Sequence, residues 1–461
     1  MRAELEIPLS INEIISAIGG FTTVHWDDRE ITAITTDTRE MKNGDLFIAL
    51  QGDKYSGESF CSEAASISAI CISKSYEDGI LVPDTESALC NIASLYRKKL
   101  RKLKNVIAIT GSVGKTTTKE FLKTLLSGKK VHASKGNYNN HIGVAHTILS
   151  CPADTEILIA EMGMNHIGEI KESSLMLRPD IAIITKIGTA HIGNLGSRQM
   201  IARAKMEITE GLSENGLLII PYGDPDIKPN CRYKTVSINT DEADLAFLPI
   251  EASKNGTRFL LKQKNLFSSI GFVSIFGIGN LCSLAFALAC AIELGVDYKK
   301  LSMHLLLISN ENTRQNIMYW RNRCIIDDAY NASLESIISA FDFLRFFPGR
   351  HCSVLGDVLE LGAQTEAIHF KIGAEAFAYK IDLLFLFGNY APFIAKGAIC
   401  AGMEQSRIFI NNDINAPEIT EKCIKEQTRE GDVILFKASH RSDLSSMIER
   451  IKECGKDSHA R

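Results

Sequence analysis

Short, uninterrupted apolar runs punctuate this chain, each followed by a polar or glycine-bearing turn and then by a segment with helical spacing. Near the start, LFIAL at 46–50 and ISAICIS at 67–73 have strand length and flank the helix-like SFCSEAAS, which predicts a small α/β unit. The helical stretch SALCNIASLYRKKLRKL closes it, and its basic end reads as a solvated helix terminus. The rhythm then tightens. VIAIT at 106–110 leads into a helix from about Lys115 to Leu126, EILIA at 156–160 into EIKESSLML, and IAIIT at 181–185 into a helix around 201–212. Strands that are apolar at every position need cover on both faces, so this alternation predicts a parallel sheet between helical layers. From near Asn310 the alternation resumes with CIIDD, LESIISAFDFL, CSVLGD, a helix around 367–378, LLFLFG and VILFKAS. The predicted units are 1–104, 105–310 and 311–461.

Length agrees with that division, since 461 residues at roughly 150 per domain predict about three domains. A hydrophobic share of 45% and a charged share of 23% describe a folded globular chain. Lys+Arg 51 against Asp+Glu 55 leaves a net charge of -4. That balance has the wrong sign to drive binding to nucleic acid or anionic membranes, so neither is expected as a partner. The cysteines are scattered with no C-x-x-C pair, as in a reducing compartment. Glu4 and Glu6 in MRAELEIPLS argue against a signal peptide. The stretch from Asn265 to Ile292 has no charge and is long enough to span a membrane. Gly271, Gly277, Gly279, Asn280 and Ser283 interrupt it, so only Leu281 to Ile292 reads as a dense apolar helix, expected in a core. A cytoplasmic chain without a membrane span is the expectation.

The strongest chemical signal is VIAITGSVGKTTTKEF, where a buried strand feeds a glycine turn that opens a helix. Backbone N–H groups of Gly111, Ser112, Val113, Gly114, Lys115, Thr116 and Thr117 and the helix dipole would face phosphate oxygens there. Lys115 would reach the outer phosphates and the Thr116 hydroxyl a Mg2+ ion. The strict G-x-x-x-x-G-K-[ST] pattern fails, because Ile109 occupies its first position; the loop is a tighter variant, and a plain glycine helix start is the competing reading. Glu161 and His191 each follow an apolar strand, at the sheet edge where ligands bind in open α/β folds. Either could complete the coordination that Thr116 begins, or simply hydrogen-bond in place. SKGNYNNHIGV presents Asn139 and Asn140 before a helix, as substrate contacts or as caps. Asp327 and Asp328, followed by Tyr330 and Asn331, end a further strand, where nucleotide contacts compete with a helix cap.

Taken in this order, TTDTREMKNGDLFIALQG, TGSVGKTTTKE, GNYNNHIGV, EMGMNHIGEI, RPDIAIITKIGTAHIGNLGS, AKMEI, IIDDAYNASLESI, GDVLELGAQTEAIH and VILFKAS resemble the Mur ligases of peptidoglycan synthesis. DDAYNAS with GDVLELG is most like the branch that adds D-alanyl-D-alanine to UDP-N-acetylmuramoyl-tripeptide. The resemblance spans the chain. It implies three α/β domains: a UDP-sugar-binding domain, a central P-loop ATPase domain and a C-terminal Rossmann-like domain, with the active site in the cleft between them. It implies ATP and Mg2+ as cofactors, UDP-N-acetylmuramoyl-tripeptide and D-Ala-D-Ala as partners, and an acyl-phosphate intermediate. Residue by residue, it implies phosphate contacts at Lys115, metal contacts at Thr116, Glu161 and His191, and a carbamylated lysine at Lys205. Lys205 alone would read as an ordinary helix-surface lysine. The resemblance further implies nucleotide contacts at Asn280, Arg314, Asp328 and Asn331 and uridine-side contacts at Thr38 and Arg39. The chain departs from the family pattern at Glu58, Ala145, Gly279, Ser283 and Ala438, and either His440 or Arg441 would meet the dipeptide. Two readings of another class compete. A P-loop kinase or switch would turn over ATP slowly without peptide, and a dinucleotide oxidoreductase would need a third glycine that GIGNLC lacks.

Overall fold

A computed structural model of the chain describes all residues except 27, 53–54, 68, 265, 311–314, 440–443 and 454–461, together with the side chain of Phe267. Among the described residues three sheets follow one another along the sequence. The first has five strands between Arg2 and Leu81 in sequential order, an antiparallel opening pair followed by parallel neighbours. Helix Thr85–Lys99 then leads to the second sheet and buries Ala88, Leu89, Ile92, Ala93 and Tyr96, the spacing of one helical face. That face is the joint between the first two units, since the Tyr96 hydroxyl donates to the Cys151 carbonyl at 3.0 Å. Arg97, Lys98 and Lys99 occupy its last turn, where the helix dipole favours cations. Arg97 is not simply solvated, because its Nε donates to the Leu177 carbonyl at 3.3 Å.

The central sheet has nine strands, with Asn105–Thr110 flanked by Ile157–Glu161 on one side and Ile181–Ile184 on the other. Along these strands Ile107, Ile109, Ile159 and Ile183 enter one core, while Val106, Ala108, Leu158 and Ile184 enter another. Continuous apolar runs are therefore needed here: each strand is buried on both faces. The expectation of a parallel sheet holds from Val131–Ala133 to Leu245–Ser253. Beyond that edge, Gly256–Gln263 and Phe267–Val273 add antiparallel. Only two residues join Ser253 to Gly256, a hairpin connection too short for the crossover that a parallel pair requires. The helix expected around 201–212 is instead Arg198–Met206 followed by a 3-10 turn at Glu207–Thr209. It starts early because the Ser197 side chain caps it, accepting from the Met200 N–H.

The apolar stretch resolves as expected into a buried helix, Ile278–Glu293, packed into the central core through Leu281, Leu284, Ala285 and Leu288. Among the described residues no helix is long and apolar enough to cross a membrane. The third sheet has six strands; Asn316–Trp320 is its antiparallel edge and the other five are parallel. Helix Leu334–Leu344 of this unit docks on the central one. Phe343 stacks on Phe276 at 4.7 Å, Asp342 accepts from the Ile278 N–H at 2.8 Å and Glu335 from the Thr189 N–H at 2.8 Å. A Cβ on Gly279 would lie 2.1 Å from Ser339 Oγ, so this glycine sets how closely the two units approach.

Candidate active site

Three adjacent strand ends meet at one edge of the central sheet, and register decides what they bring. Ile109 pairs with Glu161, and Thr110 with Ile184, so the loop after Thr110 stands between Glu161 and Thr185. Gly111 has φ +148, and a Cβ there would lie 2.0 Å from Thr185 Oγ1. That hydroxyl donates to the Val113 carbonyl at 2.6 Å, and the Ser112 hydroxyl accepts from the Gly188 N–H at 2.9 Å, bracing the loop from the neighbouring strand. Gly114, at φ +91, starts helix Lys115–Leu125 with no side-chain cap, leaving first-turn N–H groups for an anion. Lys115 Nζ donates to the Gly111 carbonyl at 2.7 Å, folding the amine back over the loop. The Thr116 hydroxyl donates to Glu161 Oε2 at 2.9 Å.

The loop opens into a cavity of about 520 Å³ between the central and C-terminal units, lined by Ser112 to Thr117 and by Asn139, Asn140, His191, Lys205, Asn280, Asp328 and Asn331. Glu161 stands behind Thr116 and is fully buried. Lys205 is not a surface lysine, since it is only 2% exposed. Burial, and secondarily the nearby Lys115, hold its pKa well below that of an ordinary lysine. Its side chain lines the cavity, where burial disfavours the charged form. His191 and Glu360 both adopt left-handed backbone, φ 64 and 63, a conformation costing about 1–2 kcal/mol each for residues with a Cβ. That strain brings His191 Nδ1 to 2.5 Å from Glu360 Oε2 across the unit boundary.

The asparagines divide. Asn140 Oδ1 accepts from the Gly143 N–H at 2.8 Å, capping helix His141–Leu149, whereas the Asn139 side chain packs on Gly163. The acidic pair divides too. Asp327 accepts from the Ala329 N–H at 3.0 Å, a local turn, while Asp328 is ion-paired with the buried Lys437 at 2.8 Å. The helix cap, the competing reading for these aspartates, belongs to Ser333. Asn280 Nδ2 donates to Gln315 Oε1 at 3.2 Å, tying the apolar helix to the C-terminal unit. Arg314, His440 and Arg441 lie outside the described residues. Thr38 and Arg39 sit in the first unit and do not line this cavity; Arg39 is exposed and paired with Asp37 at 2.6 Å. Glu58 spends both carboxylate oxygens on Lys74 and Ser75. Gln315, Glu360 and Lys437 are cavity residues that residue-level reading missed, although Glu360 lies within GDVLELG and Lys437 within VILFKAS.

Among the described residues no three His, Cys, Asp or Glu side chains form a ready cage for a cation. The donor set fits a metal that keeps waters and substrate oxygens, as Mg2+ does. Thr116 offers a hydroxyl and Glu161 a carboxylate whose Oε1, buried and making no hydrogen bond, is ion-paired with the Lys119 ammonium at 3.0 Å. His191 and Lys205 face the same cavity.

Family models match along the chain: the Mur ligase middle domain over 109–291 and the Mur ligase, glutamate ligase domain over 314–440. The UDP-N-acetylmuramoyl-tripeptide–D-alanyl-D-alanine ligase of Bacillus subtilis (strain 168) is 35% identical over 456 residues, covering 94% of this chain and 96% of that protein. The crystal structure of MurF from Acinetobacter baumannii superposes with a TM-score of 0.88 at 27% identity, over 97% of this chain and 99% of that one. MurF ligase from Thermotoga maritima, in complex with ADP, gives 0.79 at 27% identity over 92% and 98%. The chain belongs to the Mur ligase family of ATP-dependent ligases, grouping with its UDP-N-acetylmuramoyl-tripeptide–D-alanyl-D-alanine ligases.

Proposed function

We propose that this chain joins D-alanyl-D-alanine to UDP-N-acetylmuramoyl-tripeptide at the expense of ATP, in cytoplasmic peptidoglycan precursor synthesis. Supporting the reading is one juxtaposition: an uncapped helix start carrying Lys115 and a buried lysine, Lys205, open into a single cavity between two units. We assign the UDP-sugar to residues 1–104, ATP to 105–310 and closure over the site to 311–461.

The N–H groups from Gly111 to Thr117 and the Lys115 ammonium hold the outer phosphates of ATP. They stabilise charge on the transferring phosphoryl group, which is the main lever a protein has over this reaction. The terminal carboxylate of the tripeptide attacks the γ-phosphorus, the bond to the β-phosphate oxygen breaks, and ADP departs from an acyl phosphate. The amine of D-Ala-D-Ala then attacks the activated carbonyl, loses its proton, and expels inorganic phosphate. Asn280, Asp328, Asn331 and Arg314 contact the nucleotide; Asn139 and Asn140 line the substrate side; Thr38 and Arg39 meet the uridine-linked end. Thr116, Glu161, His191 and modified Lys205 would hold Mg2+, which when bound supplies positive charge between the reacting anions.

Burial gives Lys205 the form that carbamylation needs. A neutral amine can attack CO2, forming an N–C bond and releasing a proton to solvent, and the product carboxylate suits a cation where an ammonium would repel it. The test of the reaction is ADP release measured with UDP-N-acetylmuramoyl-tripeptide and D-Ala-D-Ala together and singly. Turnover should need both, and release unchanged without the dipeptide would defeat the assignment.

A further inference from the structure

Lys119 lies one helical turn beyond Lys115 and takes no part in the chemistry above. Its side chain is 1% exposed, and its ammonium meets three oxygens: the Ser134 carbonyl at 2.6 Å, Glu161 Oε1 at 3.0 Å and Glu120 Oε1 at 3.2 Å. A lysine is almost never buried this far unless paired. The pairing here has a direction. Lys119 addresses Glu161 Oε1, while the Thr116 hydroxyl donates to Oε2 at 2.9 Å, so the two oxygens of one carboxylate are allotted to different partners. The Ser134 hydroxyl in turn accepts from the Glu161 N–H at 3.2 Å. Lys119, Ser134 and Glu161 thus close a buried ring, in which the ammonium is fixed between the Ser134 carbonyl and Glu161 Oε1.

We propose that Lys119 is a positioning residue that makes Glu161 present a single oxygen to the divalent cation, and thereby selects Mg2+ over Ca2+. The inference rests on the proposed role of Glu161 as the cation's carboxylate. Its physical ground is a difference between the ions. Ca2+ takes six to eight oxygens in flexible geometry and readily accepts both oxygens of a carboxylate, whereas Mg2+ demands a compact octahedron filled largely by water and phosphate. Holding Oε1 on an ammonium removes the two-oxygen mode, a loss that falls on Ca2+.

Isothermal titration of the full chain with Mg2+ or Ca2+, at saturating ADP, measures this. The ratio of the Ca2+ to the Mg2+ Kd should fall about fivefold or more in Lys119→Met, and Lys119→Arg, which keeps the charge, should restore most of it. An unchanged ratio in folded Lys119→Met overturns the proposal. Because that variant leaves Glu161 charged and buried, a second measurement uses the unmodified protein. Infrared difference spectra on adding Mg2+ and ADP, with Glu161→Gln as the reference, should show the wide splitting of carboxylate stretches that one-oxygen binding produces. The narrow splitting of a two-oxygen carboxylate would refute it. If Glu161→Gln binds Mg2+ with ADP as tightly as the unmodified chain, the assignment of Glu161 itself fails and takes the inference with it.

Discussion

Replacing Lys205 by Met should stabilise the protein while abolishing its reaction, and the size of the effect should depend on pH in a defined direction. Lys205 is 2% exposed, and its pKa is held well below the ordinary value by burial first and by Lys115 second. The unfolded chain, with a lysine pKa near 10.4, therefore binds a proton that the folded chain gives up. Stability consequently rises with pH through the gap between the two values, and the penalty disappears only above the unfolded one. For a single proton the slope is at most about 1.4 kcal/mol per pH unit. Methionine fills similar space without titrating, so its advantage over lysine should be largest at low pH and shrink as the pH rises toward the unfolded value. Urea unfolding of both chains in CO2-free buffers reads this difference. Adding bicarbonate should then stabilise the unmodified protein alone, because CO2 captured on the folded amine pulls the equilibrium by mass action. Parallel pH profiles would refute the buried, proton-shedding amine. Equal gains from bicarbonate in both chains, or substrate-dependent ADP release by Lys205→Met, would refute its modification.

Gly111→Ala should abolish the thermal shift produced by ADP, because its methyl would sit 2.0 Å from the Thr185 Oγ1 that braces the loop; an undiminished shift would show that the loop tolerates a Cβ. Lys437→Met leaves Asp328 buried without its 2.8 Å partner and should cost about 3–5 kcal/mol in urea unfolding, whereas Lys437→Met combined with Asp328→Asn should recover much of it. His369 is buried; it donates from Nδ1 to the Thr365 carbonyl at 2.7 Å and accepts the Val358 N–H at Nε2 at 3.0 Å. Burial lowers its pKa, so the unfolded chain takes up a proton more readily and stability falls as pH drops below about 6.5. His369→Leu should lose about 1–3 kcal/mol near neutrality for the unpaired Val358 N–H and should flatten that acid limb; an unchanged limb would assign it to other groups.

Residue pattern alone carried much of the architecture. Runs such as VIAIT and IAIIT had to be covered on both faces because they lack a polar position in the two-residue period, and the structure divides their side chains between two cores. A glycine turn opening into GKTTT after a buried strand was likewise legible, because the conformation that Gly111 and Gly114 adopt and the uncapped helix start are local properties. The hairpin edge at 245–273 was not legible, since its direction hangs on a two-residue connection rather than on hydrophobic period.

What the sequence by itself determined is which faces are apolar and which turns can bind an anion, because both are written within a few residues of each other. Only the tertiary structure decided that Lys205, on a helix of ordinary polarity, is shut away from water. The same holds for Asp328 finding Lys437, Asn280 reaching Gln315 and His191 meeting Glu360. Each of these depends on what packs over a side chain from a distant part of the chain. Burial and pairing, which set the charge state of a titratable group, are properties of that packing and not of the residue or its near neighbours.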